Sequence, residues 1–361
     1  MDNVNYFEIE GDAHDLGLAH GRAAGDLIAS ALKGWDQGLR ELTGLSREEF
    51  VKRFLGAHDY RSGIEKHTPE LLVEVAAIAE GAQQDPETIF AWQMVDEWLD
   101  YAIEQFLVSK CSSLGGFGQG PGLPPLIGKT QDLPHLYLGH TALIRTRTRE
   151  GEFFNSGIVG IVAQDGLNDR GVGVCCNHVG HLQRDASGVP VAFLLRAVLQ
   201  QANDVEHAIS IIQSMPSASG MNYVLGDKQK VVDIEVSAHD VVRYSSSESG
   251  KRVWHTNHPM ANDHYVDEID LWNSMPDSEA GNTNARFESL RKSLSDESVP
   301  LDFALAKRAL SSRDGPVSSL PEDDFPTVNG LIIELYDEPI LHFCTGAPLQ
   351  GEFHRFTFSA R

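Results

Sequence analysis

One cysteine of the chain stands beside small hydroxyl residues, in the run Lys110-Cys111-Ser112-Ser113. A free cysteine is most often a small buried hydrophobe, so the residue type alone assigns no role. Two features single out Cys111. It lies where a helical half of the sequence gives way to a β half, and an aspartate, Asp132, follows about one hairpin later in GKTQDLPH. The position and this neighbour make Cys111 the candidate nucleophile.

A second polar cluster, His255-Thr256-Asn257-His258, ends a run typical of a strand. Asn257 offers an amide donor to a reacting carbonyl, and the alternative for the cluster is a hydrogen-bonded turn. Metal binding by its two histidines, or by His178 and His181, is disfavoured because neither pair lies in a HExxH pattern or beside a matching carboxylate cluster. We therefore expect no metal and no cofactor. A conventional Cys–His pair stays open, since the chain has 15 histidines.

Hydrophobic periodicity indicates which elements position these residues. Residues 1 to about 110 predict one strand, Tyr6–Glu10, followed by helices, one of which begins at Thr68-Pro69 and ends at Gly81. The run GGFGQGPGLPP at 115–125 predicts a loop. Short β-like runs then alternate with two pairs of helices. This order indicates one α+β domain over residues 1–361, with stacked sheets and helices outside.

Composition restricts the partners. With 29 basic and 52 acidic residues the formal charge is −23, which disfavours nucleic acid and anionic membranes. It weakly favours neutral or cationic small molecules, and the alternative is that the charge only forms a solvated acidic surface. The N-terminus lacks a secretory pattern, and no apolar run is long enough to cross a bilayer. The cysteines do not form a disulfide framework, so we expect a cytoplasmic protein in which Cys175, Cys176 and Cys344 are buried and inert. A homo-oligomer stays open.

Several motifs, in order and spacing, resemble the acyl-coenzyme A:isopenicillin N acyltransferase family, a branch of the N-terminal-nucleophile hydrolases. They are FEIEGDAHDLGLAHGRAAG, KCSS, GKTQDLP, GLNDRGVGVCCN, NYVLGD, DIEVSA and VWHTNHPM. The resemblance implies a four-layer αββα sandwich. It also implies a precursor that cuts itself before the cysteine, here at Lys110–Cys111. The N-terminal chain 1–110 and the β chain 111–361 would stay associated.

Such a cut has a chemical purpose. A backbone amide nitrogen is not a base, whereas cleavage frees an α-amine with a pKa of about 7.7–8.0 beside its own thiol. The resemblance implies that Cys111 is the nucleophile, that Asp132 orients or charge-balances this amine, and that Asn257 stabilises the tetrahedral oxyanion. Other polar residues of the matched segments are assigned less directly. Asn177, Gln131 and His135 are substrate-pocket candidates, and Asn168 and Glu235 are structural hydrogen-bonding residues.

The sequence departs from the family pattern in two places. Thr130-Gln131-Asp132 stands where the family often has Asn-Trp-Asp, and the segment PEDDFPTVNG lacks the arginine that acyltransferase members carry there. Coenzyme A is a polyanion and should be attracted poorly by a chain of this charge. We therefore favour an amidohydrolase acting on an N-acylated small molecule. The alternatives are an acyltransferase using acyl-coenzyme A and a non-catalytic binding protein with the same fold.

The first prediction is scission of the Lys110–Cys111 bond. Intact-mass measurement and N-terminal sequencing of the purified protein should find a chain that begins Cys-Ser-Ser. Cys111→Ala should stay uncut, because no thiol can attack the preceding carbonyl, and Cys111→Ser should cut slowly. A fully active enzyme consisting of one uncut chain would contradict the mechanism.

Overall fold

The computed structural model describes residues 4–102, 110–118, 122–247, 249–266 and 283–358. The helices in these ranges are α1 Ala13–Thr43, α2 Arg47–Ala57, α3 Tyr60–His67, α4 Pro69–Ala82, α5 Pro86–Trp92, α6 Val95–Ala102, α7 Val191–Gln201, α8 Val205–Gln213, α9 Thr283–Leu294 and α10 Phe303–Leu310. A short 3-10 helix covers His135–Tyr137. The strands are β1 Tyr6–Glu10, β2 Lys110–Phe117, β3 Pro125–Asp132, β4 Thr141–Arg147, β5 Glu152–Ile158, β6 Asp165–Asn168, β7 Gly173–His178, β8 Met221–Gly226, β9 Val231–Val236, β10 Val241–Tyr244, β11 Arg252–His255, β12 Thr327–Glu334, β13 Ile340–Thr345 and β14 His354–Thr357.

The strands form two sheets. The first has the order β1-β4-β5-β6-β7-β8-β9-β10 and the second the order β11-β2-β3-β12-β13-β14. Within the described residues all neighbouring strands are antiparallel except β1, which is parallel to β4. Apolar side chains from both sheets, among them Ile127, Val224 and Ile333, meet in one buried cluster between them. The two sheets therefore stack face to face.

Helices cover both outer faces. A large apolar cluster joins helices α1–α8 to the outer face of the eight-stranded sheet, and a smaller cluster joins α9 and α10 to the outer face of the six-stranded sheet. The result is a four-layer αββα sandwich of the α+β class, as the resemblance implied.

Local sequence explains the longest helix. The side chain of Asp12 accepts hydrogen bonds from the backbone N–H groups of His14 and Asp15 at the start of α1, and Gly44 ends the helix in the left-handed region. Residues such as Leu16, Ile28 and Trp35 form its buried face. The predicted helix at Thr68-Pro69 also forms, and it ends at Ala82, one residue beyond Gly81.

The loop predicted over 115–125 is wrong at both ends. Gly115–Phe117 continue β2, and Pro125 begins β3. Glycine at position 115 allows the two sheets to approach, because a Cβ there would lie only 2.8 Å from a methyl of Val231 in the facing sheet. The patterns also do not predict β6. In the described ranges no helix is both long enough and apolar enough to span a membrane.

Backbone register positions the candidate residues. β2 and β3 form a hairpin in which Cys111 lies opposite Gln131 and Lys110 opposite Asp132. β11 pairs with the other edge of β2, with His255 opposite Ser113. Asn257 follows β11 by two residues, so three distant parts of the sequence meet at the beginning of β2.

Glycines set the close approach of α1 to α4, which yields the second prediction. A Cβ at Gly21 would lie 2.3 Å from the carbonyl oxygen of Ile78, whereas a Cβ at Gly25 would have its nearest neighbour at 3.8 Å. Gly21→Ala should therefore lower the free energy of unfolding by about 1–3 kcal/mol through overpacking. The matched change Gly25→Ala should raise it by roughly 0.5–1 kcal/mol, because alanine favours the helix. Urea unfolding measures the free energy of unfolding of both variants and so separates steric crowding from helix propensity. Equal changes in the two variants would contradict the close approach of α1 to α4 at Gly21.

Candidate active site

The backbone of Cys111 is held on both sides by buried polar side chains. Its N–H donates to Asn257 Oδ1 at 2.9 Å, and its carbonyl oxygen accepts a hydrogen bond from Arg286 Nη1. Arg286 also donates to Ser112 Oγ at 3.0 Å and, through Nη2, to Asn257 Oδ1 at 2.8 Å. Arg286 comes from α9 and is fully buried. A guanidinium cation therefore connects the cysteine backbone to the asparagine amide.

The amide of Asn257 is oriented by its partners. Oδ1 accepts from Cys111 N–H and from Arg286, while Nδ2 donates to the carbonyl oxygen of His178 at 2.8 Å. The backbone N–H of Asn257 donates to Thr283 Oγ1 at 2.9 Å. An amide nitrogen has two hydrogens, so within the described residues one donor remains after the bond to His178.

Asp132 lies buried at the end of β3. Its Oδ1 accepts from Thr327 Oγ1 at 2.6 Å, and its Oδ2 has no hydrogen-bond partner among the described residues. Burial raises the pKa of this carboxyl to about 7, although the nearby Arg286 cation and the bond from Thr327 act in the opposite direction. Because the register places Lys110 opposite Asp132, an unsatisfied acceptor lies beside the predicted cleavage site.

The Cys111 thiol is protonated at neutral pH while the chain is intact. Burial raises the pKa of Cys111 to about 11, and the cation of Lys129 opposes this rise. Lys129 is itself buried between the sheets, and its Nζ lies 2.8 Å from Asp165 Oδ2 and 3.5 Å from Cys176 Sγ. No hydrogen bond joins the Cys111 thiol to a histidine in the described chain. The thiol thus lacks a histidine base at this site.

The three pocket candidates occupy different surroundings. Gln131 lies opposite Cys111, and its Oε1 accepts from Asn329 Nδ2 at 2.7 Å. Asn177 donates to Ser113 Oγ at 2.6 Å and to Asn222 Oδ1 at 3.0 Å, inside the sandwich. His135 lies in the 3-10 helix, where its Nε2 is 3.0 Å from the carbonyl oxygen of Pro321. The structure therefore joins Gln131 to the Cys111 hairpin and places His135 against a surface segment.

The histidines of the second cluster have other partners. His255 Nε2 lies 2.8 Å from Glu235 Oε1, and His258 Nδ1 lies 2.9 Å from Thr283 Oγ1. His178 Nε2 lies 3.2 Å from Asp100. Across the described ranges no group of three or more His, Cys, Asp or Glu side chains is arranged to hold a metal ion. Asn168 fixes a turn, because its Oδ1 accepts from the backbone N–H groups of Arg170 and Val172.

Sequence reasoning missed two buried cations, Arg286 and Lys129. A signal exists for the first: Arg286 shares four-residue spacing with Leu290 and Leu294, so it lies on the apolar face of α9. Lys129 interrupts the apolar run of β3. A charged residue at a core-facing position needs a partner, and each of these two faces the surroundings of Cys111.

Part of the sequence matches the model of a known protein family. The model of the acyl-coenzyme A:6-aminopenicillanic acid acyl-transferase family matches residues 119–323, a range that includes the positions of Asp132, Asn257 and Arg286. Among curated proteins none matches by sequence.

Solved structures similar to the chain include an acylase and a bile acid hydrolase. Penicillin V acylase from Agrobacterium tumefaciens is 14% identical, with a TM-score of 0.38, over 69% of this chain and 86% of that one. A mutant of conjugated bile acid hydrolase from Clostridium perfringens is 13% identical, with a TM-score of 0.39, over 68% of this chain and 97% of that one. Because the family model covers more than half of the sequence, the chain belongs to the acyl-coenzyme A:6-aminopenicillanic acid acyl-transferase family.

Proposed function

We propose that the protein is an amidohydrolase that cleaves an N-acylated small molecule through a thioester on Cys111, after cutting itself at Lys110–Cys111. One observation carries the proposal. The N–H of Cys111 is held by Asn257 and its carbonyl by Arg286, while the unpartnered Asp132 Oδ2 lies beside the bond to be cut. An N-terminal nucleophile needs this support for its own nitrogen.

Self-cleavage would begin with attack of the Cys111 thiol on the Lys110 carbonyl carbon. The S–C bond forms, the C–N bond breaks, and the thiol proton goes to the departing nitrogen. Water then hydrolyses the thioester and leaves a Lys110 carboxylate, a free thiol and a free α-amine. Burial raises the pKa of the thiol to about 11, so the thiol does not ionise at neutral pH without a base. The α-amine supplies the base that the described site otherwise lacks, because its pKa lies near neutrality.

In turnover the same groups act on substrate. The α-amine accepts the thiol proton, and Asp132 Oδ2 accepts a hydrogen bond from the resulting ammonium. The thiolate attacks the amide carbonyl, and the free hydrogen of Asn257 Nδ2 and the Arg286 cation stabilise the negative oxygen. The ammonium returns its proton to the leaving amine, and water releases the acid from the thioester. We propose a cytoplasmic location, where reducing conditions keep the thiol free.

Acyl transfer is the second candidate, because the matched family is described as an acyl-transferase. The same thioester would then be resolved by an amine in place of water. The formal charge of −23 is the argument against coenzyme A as the acyl donor.

A panel of N-acyl amides, assayed with and without acyl-coenzyme A and an added amine acceptor, separates these reactions. Release of free acid without acceptor supports hydrolysis, and formation of a new amide only with acceptor supports transfer. If the correctly cut protein releases no free acid and forms no new amide, the alternative of a non-catalytic binding protein with the same fold is favoured. Cys111→Ala is the blank.

The third prediction compares two buried arginines. Arg286→Ala should lower turnover by about 10²–10³-fold, since it removes the cation that holds the Cys111 carbonyl and the Asn257 amide and that we propose stabilises the oxyanion. Arg252 is the matched control, because it is equally buried but donates to the carbonyl oxygens of Leu294, Asp296 and Val299 outside the site. Arg252→Ala should lower thermal stability and leave the turnover of the folded fraction within a few-fold. Equal turnover losses would remove Arg286 from the mechanism.

The fourth prediction concerns Asn257. Asn257→Ala should lower the catalytic rate by roughly 10²–10³-fold, more than it raises KM, because an oxyanion donor acts mainly in the transition state. Asn257→Asp should be at least as damaging, since it places a carboxylate against the developing anion. Prolonged treatment with EDTA should leave activity intact. Activity that is lost to chelator and restored by zinc, with Asn257→Ala close to wild type, would overturn this role.

A further inference from the structure

Glu235, in β9, is a fully buried carboxylate that the proposed chemistry does not use. It accepts four hydrogen bonds from one stretch of chain. Its Oε1 lies 2.8 Å from His255 Nε2 and 2.5 Å from the backbone nitrogen of Met260. Its Oε2 accepts from the backbone N–H groups of Ala261 at 2.9 Å and Asn262 at 2.7 Å. One side chain therefore satisfies donors that span eight residues of sequence.

These donors lie on both sides of Asn257. His255 precedes it by two residues, and the Met260–Asn262 backbone follows it. The segment between them leaves β11 and carries the only side chain that accepts the Cys111 N–H in the described chain. Fixing both ends of this segment to one carboxylate limits how far the Asn257 amide can move.

The contact between Glu235 and His255 is an ion pair as well as a hydrogen bond. His255 Nδ1 faces the carbonyl oxygen of Thr256 at 2.9 Å, and its Nε2 faces Glu235. Both neighbours are acceptors, so both ring nitrogens donate and the ring is an imidazolium cation. The His255 and Glu235 side chains are both fully shielded from water. A buried ion pair of this kind is costly to break and therefore holds its geometry.

We propose that Glu235 is a positioning residue that holds the Asn257 amide between the Cys111 nitrogen and the His178 carbonyl. The proposal rests on the proposed function for its catalytic consequence. Glu235 does not touch the reacting atoms; it acts through the segment 255–262. A displacement of about 1 Å at a reacting group costs as much as 10²-fold in rate, so loss of the carboxylate should be visible in the chemical step.

The test variant is Glu235→Gln. Glutamine fills the same volume, but its NH₂ group would face a backbone N–H or the His255 ring in place of accepting from it. We expect the rate of acylation to fall by roughly 10–100-fold with KM within about three-fold of wild type. The probe is p-nitrophenyl acetate, whose burst of p-nitrophenolate reports acylation of Cys111, with Cys111→Ala as the blank.

Glu74→Gln is the matched control. Glu74 is also a buried carboxylate, and it pairs with the buried Arg196 at 2.7 Å in the helical layer, away from the site. The same substitution there should lower thermal stability but leave the burst rate within about two-fold. A folded, cut Glu235→Gln whose burst rate equals that of Glu74→Gln would overturn the proposal. If Glu235→Gln does not fold, Glu235→Asp keeps the charge on a shorter side chain and should give an intermediate loss of rate with unchanged KM.

A second readout is independent of activity. In protein labelled with ¹⁵N-asparagine, Glu235→Gln should shift or broaden the side-chain amide signal of Asn257, which is assigned with Asn257→Asp. Glu74→Gln should not change it. An unchanged Asn257 signal in Glu235→Gln contradicts the positioning role. Absence of a burst in wild type, with the Asn257 signal displaced in Glu235→Gln, would instead contradict the proposed function and leave the positioning role supported.

Discussion

A buried guanidinium organises the site of this protein. Arg286 is fully enclosed and spans the carbonyl of Cys111, the hydroxyl of Ser112 and the amide oxygen of Asn257. An isolated buried charge is strongly unfavourable, so its neighbours must supply acceptors and countercharge. The fold meets this need by bringing together the beginning of β2, the segment after β11 and the helix α9. The residues that satisfy the cation are the same ones that surround the proposed nucleophile.

The electrostatics of the intact chain follow from this burial. Removal from water raises the pKa of Asp132 to about 7 and that of Cys111 to about 11. A neutral thiol, a carboxyl with one unpartnered oxygen and a nearby cation do not yet form a catalyst. The missing group is a base between thiol and carboxyl. Cutting the chain before Cys111 would create it from the backbone itself, which is why we regard self-cleavage and catalysis as one design.

Much of the architecture was predictable from local patterns. Short-range signals predicted the strand Tyr6–Glu10 and the helix that begins at Thr68-Pro69, and the structure bears both out. The loop predicted at Gly115–Phe117 failed because glycine suggests a turn locally, whereas here it allows two sheets to approach. That requirement comes from the facing sheet and cannot be read from neighbouring residues.

At the candidate site, too, some residues could be predicted from the sequence, whereas others are revealed only by tertiary packing. Cys111, Asp132 and Asn257 were selected from the sequence, and the hairpin and β11 bring their backbones together. Arg286 and Lys129 were missed, because a basic residue in an amphipathic helix or strand is normally solvated and only tertiary packing reveals its burial. The resemblance implied a structural hydrogen-bonding role for Glu235 but not its partners, because these follow it by 20 or more residues.

The most direct test of the proposed mechanism is to locate the acyl group during turnover. The protein is mixed with an N-acyl amide that it cleaves, quenched in acid within the first turnover, digested and examined by tandem mass spectrometry. We predict one acyl group, on the sulfur of Cys111, in a peptide whose α-amine is free. An acyl group on Cys175, Cys176 or Cys344, or turnover with no acylated peptide at any time, would contradict the mechanism.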